Sequence, residues 1–232
     1  MITAVFLAHL IGDYILQWNT LAIWKSKSLK GVVAHGLIVW AATWLISALF
    51  DPRWWPWALF LGLTHTLVDA LPLWLGKYVN ALQRFVLDQA IHFSLMVFAL
   101  WASGYLGAGR LAGSLAAGLH DYRFLTFALG YAFITMPAWI LVEFVAYGAV
   151  RGPAPDFPPT ANKFVGILER GLITTFVVLG QFTLVPLVAL PRLVFQGRQV
   201  MGAPSQRAMP YLAELLASVA LAVAIGLWLR KF

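Results

Sequence analysis

Cysteine is absent from the 232 residues, which removes disulfides and thiolate metal ligands and leaves the redox compartment unmarked. Charge is scarce as well. Asp, Glu, Lys and Arg together make up 11% of the chain against 61% hydrophobic residues, where a soluble domain carries about 25% charged residues. There is no patterned basic helix with interleaved aromatics, so the excess of 16 basic over 9 acidic residues gives no reason to expect a nucleic-acid partner. No β-type alternation of apolar and polar residues competes with helix. The first apolar segment lacks a basic leader and runs straight through polar residues, so it reads as a retained helix and not as a signal peptide.

What the chain has instead is long apolar runs and a mean hydropathy of +0.81. A spanning helix needs about 20 mostly apolar residues. Seven segments qualify: 2–24, 31–50, 54–76, 85–106, 124–149, 163–195 and 210–230. The expected fold is therefore all-α, a polytopic transmembrane helical bundle of about seven helices. The sixth segment is too long for one crossing, and Pro186 and Pro191 are the expected points of breakage. Residues 1–106 are expected to form a four-helix half and 107–232 a supporting half with an additional C-terminal helix. With the N-terminus outside and the C-terminus cytoplasmic, Lys25, Lys27, Lys30, Lys77, Lys163 and Lys231 all fall on the inner side, as basic residues do in cytoplasmic loops. Trp54, Trp55 and Trp57, at the far end of the second and third segments, fit an interfacial aromatic belt.

Polar residues interrupt the apolar segments in a pattern. HLIGDYILQ places His9, Asp13 and Gln17 at four-residue spacing, HTLVD does so with His65 and Asp69, and DQAIH with Asp88 and His92. In a helix, residues i and i+4 share a face. Counted from the inner end of each helix, Gln17, Asp69 and His92 are each seven residues deep, and Glu143 and Glu169 six. Helices of alternating direction thus present their polar groups at one level. Ionised groups inside a bilayer cost about 2.5–3.5 kcal/mol each on insertion scales. A divalent cation offsets that cost, and imidazole with carboxylate is a zinc donor set. His65 with Asp69 and Asp88 with His92 are the leading ligand candidates, joined by His35 and His9. Asp13, outside the coordination shell, is the first candidate for a general base and Glu143 the second. Gln17 and Gln89 are expected to orient ligands. Lys25 and Arg170 are candidates for holding an amphipathic or phosphate-bearing substrate, the former equally readable as part of a basic loop and the latter as a snorkelling side chain.

HLIGDYILQ, AHG at 34–36, HTLVD, LDQAIH and the later FVGILERGLITTFVVLGQF together resemble an uncharacterised family of bacterial inner-membrane proteins, a domain of unknown function with histidine and aspartate motifs in its early helices. The resemblance covers residues 4–95 and 163–195. More loosely, the layout is similar to membrane-bound metal-dependent hydrolases of the bacterial inner membrane, which implies a metal site built from His9, His35, His65, Asp69, Asp88 and His92. The resulting expectation is an intramembrane metal-dependent hydrolase, with zinc as cofactor, acting on a membrane lipid or other amphipathic substrate near the inner leaflet. A proton- or divalent-cation-coupled transporter, and a non-catalytic subunit of a larger membrane complex or homo-oligomer, are the alternatives.

Overall fold

The structure is a computed structural model that describes residues 1–75, 81–107, 122–148, 162–201 and 205–232. Lys77, most of the Gly/Ala-rich stretch after the fourth segment and most of the proline-rich stretch before the sixth lie outside the described residues. Every regular element among the described residues is helical, as the apolar runs require. Four helical stretches are long and apolar enough to cross a membrane: Leu29–Ala48, Gln83–Ala102, Arg123–Ala146 and Tyr211–Leu229.

Three of the expected spans are broken. The first consists of α1 (Ile2–Leu10) and a π-helical turn (Ile11–Ile15). That turn closes where the Leu16 N–H donates to the Ile11 carbonyl at 2.8 Å. The backbone then turns extended at Trp18 before α2 (Asn19–Lys27). The polar run Gln17, Asn19 and Thr20 favours this exit, because Asn and Thr side chains compete with the helical backbone. α3 (Leu29–Ala48), α4 (Trp55–Leu75) and α5 (Ala81–Ala102) follow. The fifth expected span is interrupted at Thr135, between α6 (Arg123–Ile134) and α7 (Met136–Glu143). Pro137 lies in the first turn of α7, where its missing N–H costs nothing.

The sixth expected span breaks at Gly180, ahead of both prolines. α8 (Asn162–Val178) ends with Gly180 at φ +76°. The Gln181 N–H bonds to the Phe176 carbonyl and the Gly180 N–H to the Val177 carbonyl, the paired capping pattern that a left-handed glycine permits. Pro186 then sits in the first turn of α9 (Val185–Met201), and Pro191 is carried inside that helix. α10 (Ser205–Leu229) completes the chain.

The chain divides into two compact units, Met1–Val79 with Gln83–Ala132 and Asn80–Leu82 with Phe133–Phe232. In the first, one apolar core joins Met1, Ile2 and Val5 of the N-terminal helix, Trp54, Ala58 and Leu61 around α4, and Met96, Ala99 and Leu100 of α5. Each of these helices then turns polar at the next step along the same face, at His9, His65 and His92. Trp54 therefore belongs to this core and not to an aromatic belt; among its neighbours Trp55 is the exposed one. α3 packs against α4 so closely that a Cβ on Gly36 would stand 1.9 Å from Thr66 Oγ1. In the second unit, Ile173, Val177 and Ala222 form a small core between α8 and α10.

Candidate metal centre

Four elements of the first unit deliver polar side chains to one point. Asp13 comes from the π-helical turn, His35 from α3, His65 and Asp69 from successive turns of α4, and Asp88, Gln89 and His92 from α5. The innermost group is Asp13, His35, His65 and Asp69, all buried, with one donor atom from each within 4.8 Å of the others. His35 Nε2 lies 3.0 Å from Asp13 Oδ1 and 3.5 Å from Asp69 Oδ2. His65 Nε2 lies 3.2 Å from Asp69 Oδ2, 3.6 Å from Asp13 Oδ1 and 3.2 Å from His35 Nε2. For an ion bound tetrahedrally at about 2.0–2.1 Å, ligand atoms stand about 3.3 Å apart. The five separations bracket that value.

Each of the two facing imidazole nitrogens has a carboxylate within reach of its proton, Asp13 for His35 and Asp69 for His65. A neutral imidazole has one donor nitrogen and one acceptor nitrogen. If His35 Nε2 carries its proton toward Asp13, His65 Nε2 still confronts it at 3.2 Å. His35 Nδ1 is buried with no hydrogen-bond partner, so no second bond fixes the other tautomer. A cation between the four atoms would meet one donor atom of each side chain. The set of two imidazoles and two carboxylates could hold a metal ion.

A second group shares Asp69. His92 Nε2 is 3.8 Å from Asp69 Oδ1 and 3.6 Å from Asp88 Oδ1. It is buried and lacks a hydrogen-bond partner. The His65 and His92 rings stack with centroids 4.1 Å apart. Gln89 Nε2 donates to Asp88 Oδ2 at 3.0 Å and to Asp13 Oδ2 at 3.3 Å, tying the two groups together as an orienting residue should. His9 stands one layer deeper, 3.7 Å from Asp13 Oδ2 and edge-on to His65. It faces the carboxylate and not the four-atom centre.

Several expected roles change. Asp13, expected as a base outside the coordination shell, places Oδ1 in the innermost group. Lys25, expected to hold substrate, turns its ammonium inward, 3.0 Å from Asp69 Oδ2 and 3.8 Å from Asp13 Oδ1. It can do so because α2 folds back against the start of α3, where a Cβ on Gly31 would meet the backbone of Trp24 and Lys25 at 2.5–2.6 Å. Gln17 falls outside the helical stripe, its Oε1 buried without a hydrogen-bond partner. Glu143 belongs to the second unit, where its charged neighbours are Glu214, Arg192 and Arg170. Arg170 neither snorkels nor faces a phosphate. It is 1% exposed and donates to the carbonyls of Ile134 and Thr135 and to Ser218 Oγ, satisfying backbone oxygens at the break between α6 and α7. Glu169 and Glu214 pair instead with Arg192.

On its deep side the centre is closed by Val5, Val39, Leu61, Leu95 and Met96, which with His9, His65 and His92 surround a void of about 10 Å³. That is room for one water at most. On the other side Lys25 and Asp88 are partly exposed, at 21% and 25% of their side chains. Among the described residues, Lys25 and Asp88 thus mark the exposed side of the cluster.

Residues 1–109 match the model of a family described as a protein of unknown function, DUF3307. The match contains every residue of the His/Asp centre and ends before α6. No curated protein and no solved structure matches the chain.

Proposed function

We propose that the first unit binds a divalent metal ion, zinc, through Asp13, His35, His65 and Asp69, and that the protein is a hydrolase working inside the membrane near the inner leaflet. The convergence of two imidazole nitrogens and two carboxylate oxygens at separations of 3.0–3.6 Å carries this reading. Zinc held at this cluster would supply Lewis acidity toward an ester or phosphoester. Around it, Asp13 keeps Oδ2, between Gln89 and His9, as the oxygen able to accept a proton. Lys25 places positive charge at the open side, where negative charge develops during acyl or phosphoryl transfer. Exposed apolar side chains such as Leu37, Leu45, Leu63 and Leu67 support a lipid setting for the site and, with it, an amphipathic substrate.

The test is metal analysis of the full chain purified in detergent without chelator. Wild type should retain zinc in stoichiometric amount, and His35→Ala with Asp69→Asn should lose it. Wild-type protein that takes up no divalent metal ends the reading. Hydrolysis of ester or phosphoester lipids in mixed micelles should then require the metal.

One observation favours a second reading. A lysine ammonium paired with two buried carboxylates is a built-in counter-cation that an incoming ion must displace, as in a cation-coupled transporter. Zinc or proton flux in proteoliposomes, abolished by Asp69→Asn and unaccompanied by lipid hydrolysis, would establish that alternative.

A further inference from the structure

Asp69 faces two groups with two different oxygens. Oδ2 lies toward His35 and His65, whereas Oδ1 lies toward His92. Asp69, Asp88 and His92 each offer a donor atom within 4.8 Å of the others. His92 Nε2, in a residue only 3% exposed, points at both carboxylates without making a hydrogen bond. Its distances of 3.6 and 3.8 Å exceed the ligand spacing around a small divalent ion by a few tenths of an ångström. A buried imidazole nitrogen beside two acids, beyond hydrogen-bond distance of either, could share a cation with them.

We propose that the centre is binuclear, with Asp69 bridging a first ion held by Asp13, His35 and His65 to a second held by Asp88 and His92. The inference rests on the metal-binding reading above and deepens it. The two positions differ in kind. The first has four protein ligands, the arrangement of a closed site. The second has three, and Asp88 is its partly exposed member, so open coordination positions face the exposed side. The second ion is therefore the exchangeable one and the one that meets substrate. The first holds Asp69 in place and shares the charge. A carboxylate spanning two ions matches the spacing of about 3.5–4 Å typical of two-metal hydrolytic sites. Gln89, bonded to Asp13 and Asp88 together, keeps the two acids in register.

The full chain, stripped with chelator and reloaded, decides this. Zinc titration of wild type should give two ions per chain with affinities at least tenfold apart. Asp88→Asn and His92→Gln should each lose the weaker ion and keep the tighter, whose retention reports an intact fold; His35→Gln should lose the tighter. Loaded with Mn²⁺, wild type should give an exchange-coupled paramagnetic resonance spectrum, and His92→Gln the six-line spectrum of an isolated ion. One ion per chain, with His92→Gln titrating as wild type does, overturns the second site and leaves the first standing. Two ions without spin coupling overturn the Asp69 bridge. Loss of both ions from Asp88→Asn and His92→Gln alike overturns the division into two positions, and no metal in wild type ends both proposals.

Discussion

Lys25 shows how one side chain sets the state of the centre. Its ammonium holds the same two carboxylates that face the proposed first ion. Replacing it with methionine keeps the apolar stem and removes the competing charge, so Lys25→Met should bind zinc about tenfold more tightly, the equivalent of ~1.4 kcal/mol. Competition with a fluorescent zinc chelator measures it; weaker binding would mean that the ammonium does not compete. Arg170 is the structural counterpart in the second unit. Arg170→Met leaves the Ile134 and Thr135 carbonyls without their donors and should cost about 2–5 kcal/mol, read as a lowered unfolding midpoint in detergent. His65 with Asp69 and Asp88 with His92 keep their shared helix faces, whereas Gln17 leaves the stripe that His9 and Asp13 begin. The roles of Lys25 and Arg170 were not legible in the sequence. A lysine in WKSKSLK carries the same local signature whether its loop faces water or folds back, and nothing around Arg170 announces which carbonyls a helix break elsewhere will leave open.

At the level of elements, the contact between α3 and α4 governs the site, because each contributes an imidazole. Gly36→Ala would drive a Cβ into Thr66 Oγ1. Overpacking of this kind costs about 1–3 kcal/mol, and here it also parts His35 from His65. Metal content should fall in Gly36→Ala and recover when Thr66→Ala makes room. The turn between the same helices supplies a pH-dependent contribution. The Asp51 carboxylate accepts from the Tyr105 hydroxyl at 2.8 Å and the Arg53 N–H at 2.9 Å, and these bonds, that of Tyr105 foremost, hold its pKa below the ordinary aspartate range. Its stabilisation is complete above the unfolded value of about 3.9 and is lost as pH falls through the lower folded value. Tyr105→Phe should flatten the acid limb of the unfolding midpoint below about pH 4. Hydropathy located the apolar segments but not their interruptions. No break was expected at Thr135, and the expectation for the sixth segment rested on Pro186 and Pro191 and passed over Gly180. A glycine able to adopt positive φ ended that helix, while a proline in a first turn was harmless.

At the scale of the molecule, the helical membrane fold followed from composition, since a chain with this little charge has few other ways to satisfy its backbone in lipid. The shared polar level was legible too, and its physical form is that α1, α4 and α5 all pass from one apolar core to the centre at the same step. The partition was less so: Glu143 and Glu169 match that level by counting residues, yet they join a separate arginine network. If metal binding is part of the folded state, ligand linkage applies to the whole chain. Saturating zinc at about a hundred times the dissociation constant should add ~2.7 kcal/mol, so a chelator should lower the melting temperature of wild type and leave that of Asp69→Asn unchanged.

The plug of Val5, Val39, Leu61, Leu95 and Met96 makes the chamber a cul-de-sac. If the chain is the hydrolase proposed, product must clear past Lys25 and Asp88 before the next molecule can bind. In vesicles with uniformly oriented protein, a membrane-impermeant chelator should strip the ions from one face alone, and that asymmetry would reveal toward which compartment the centre opens.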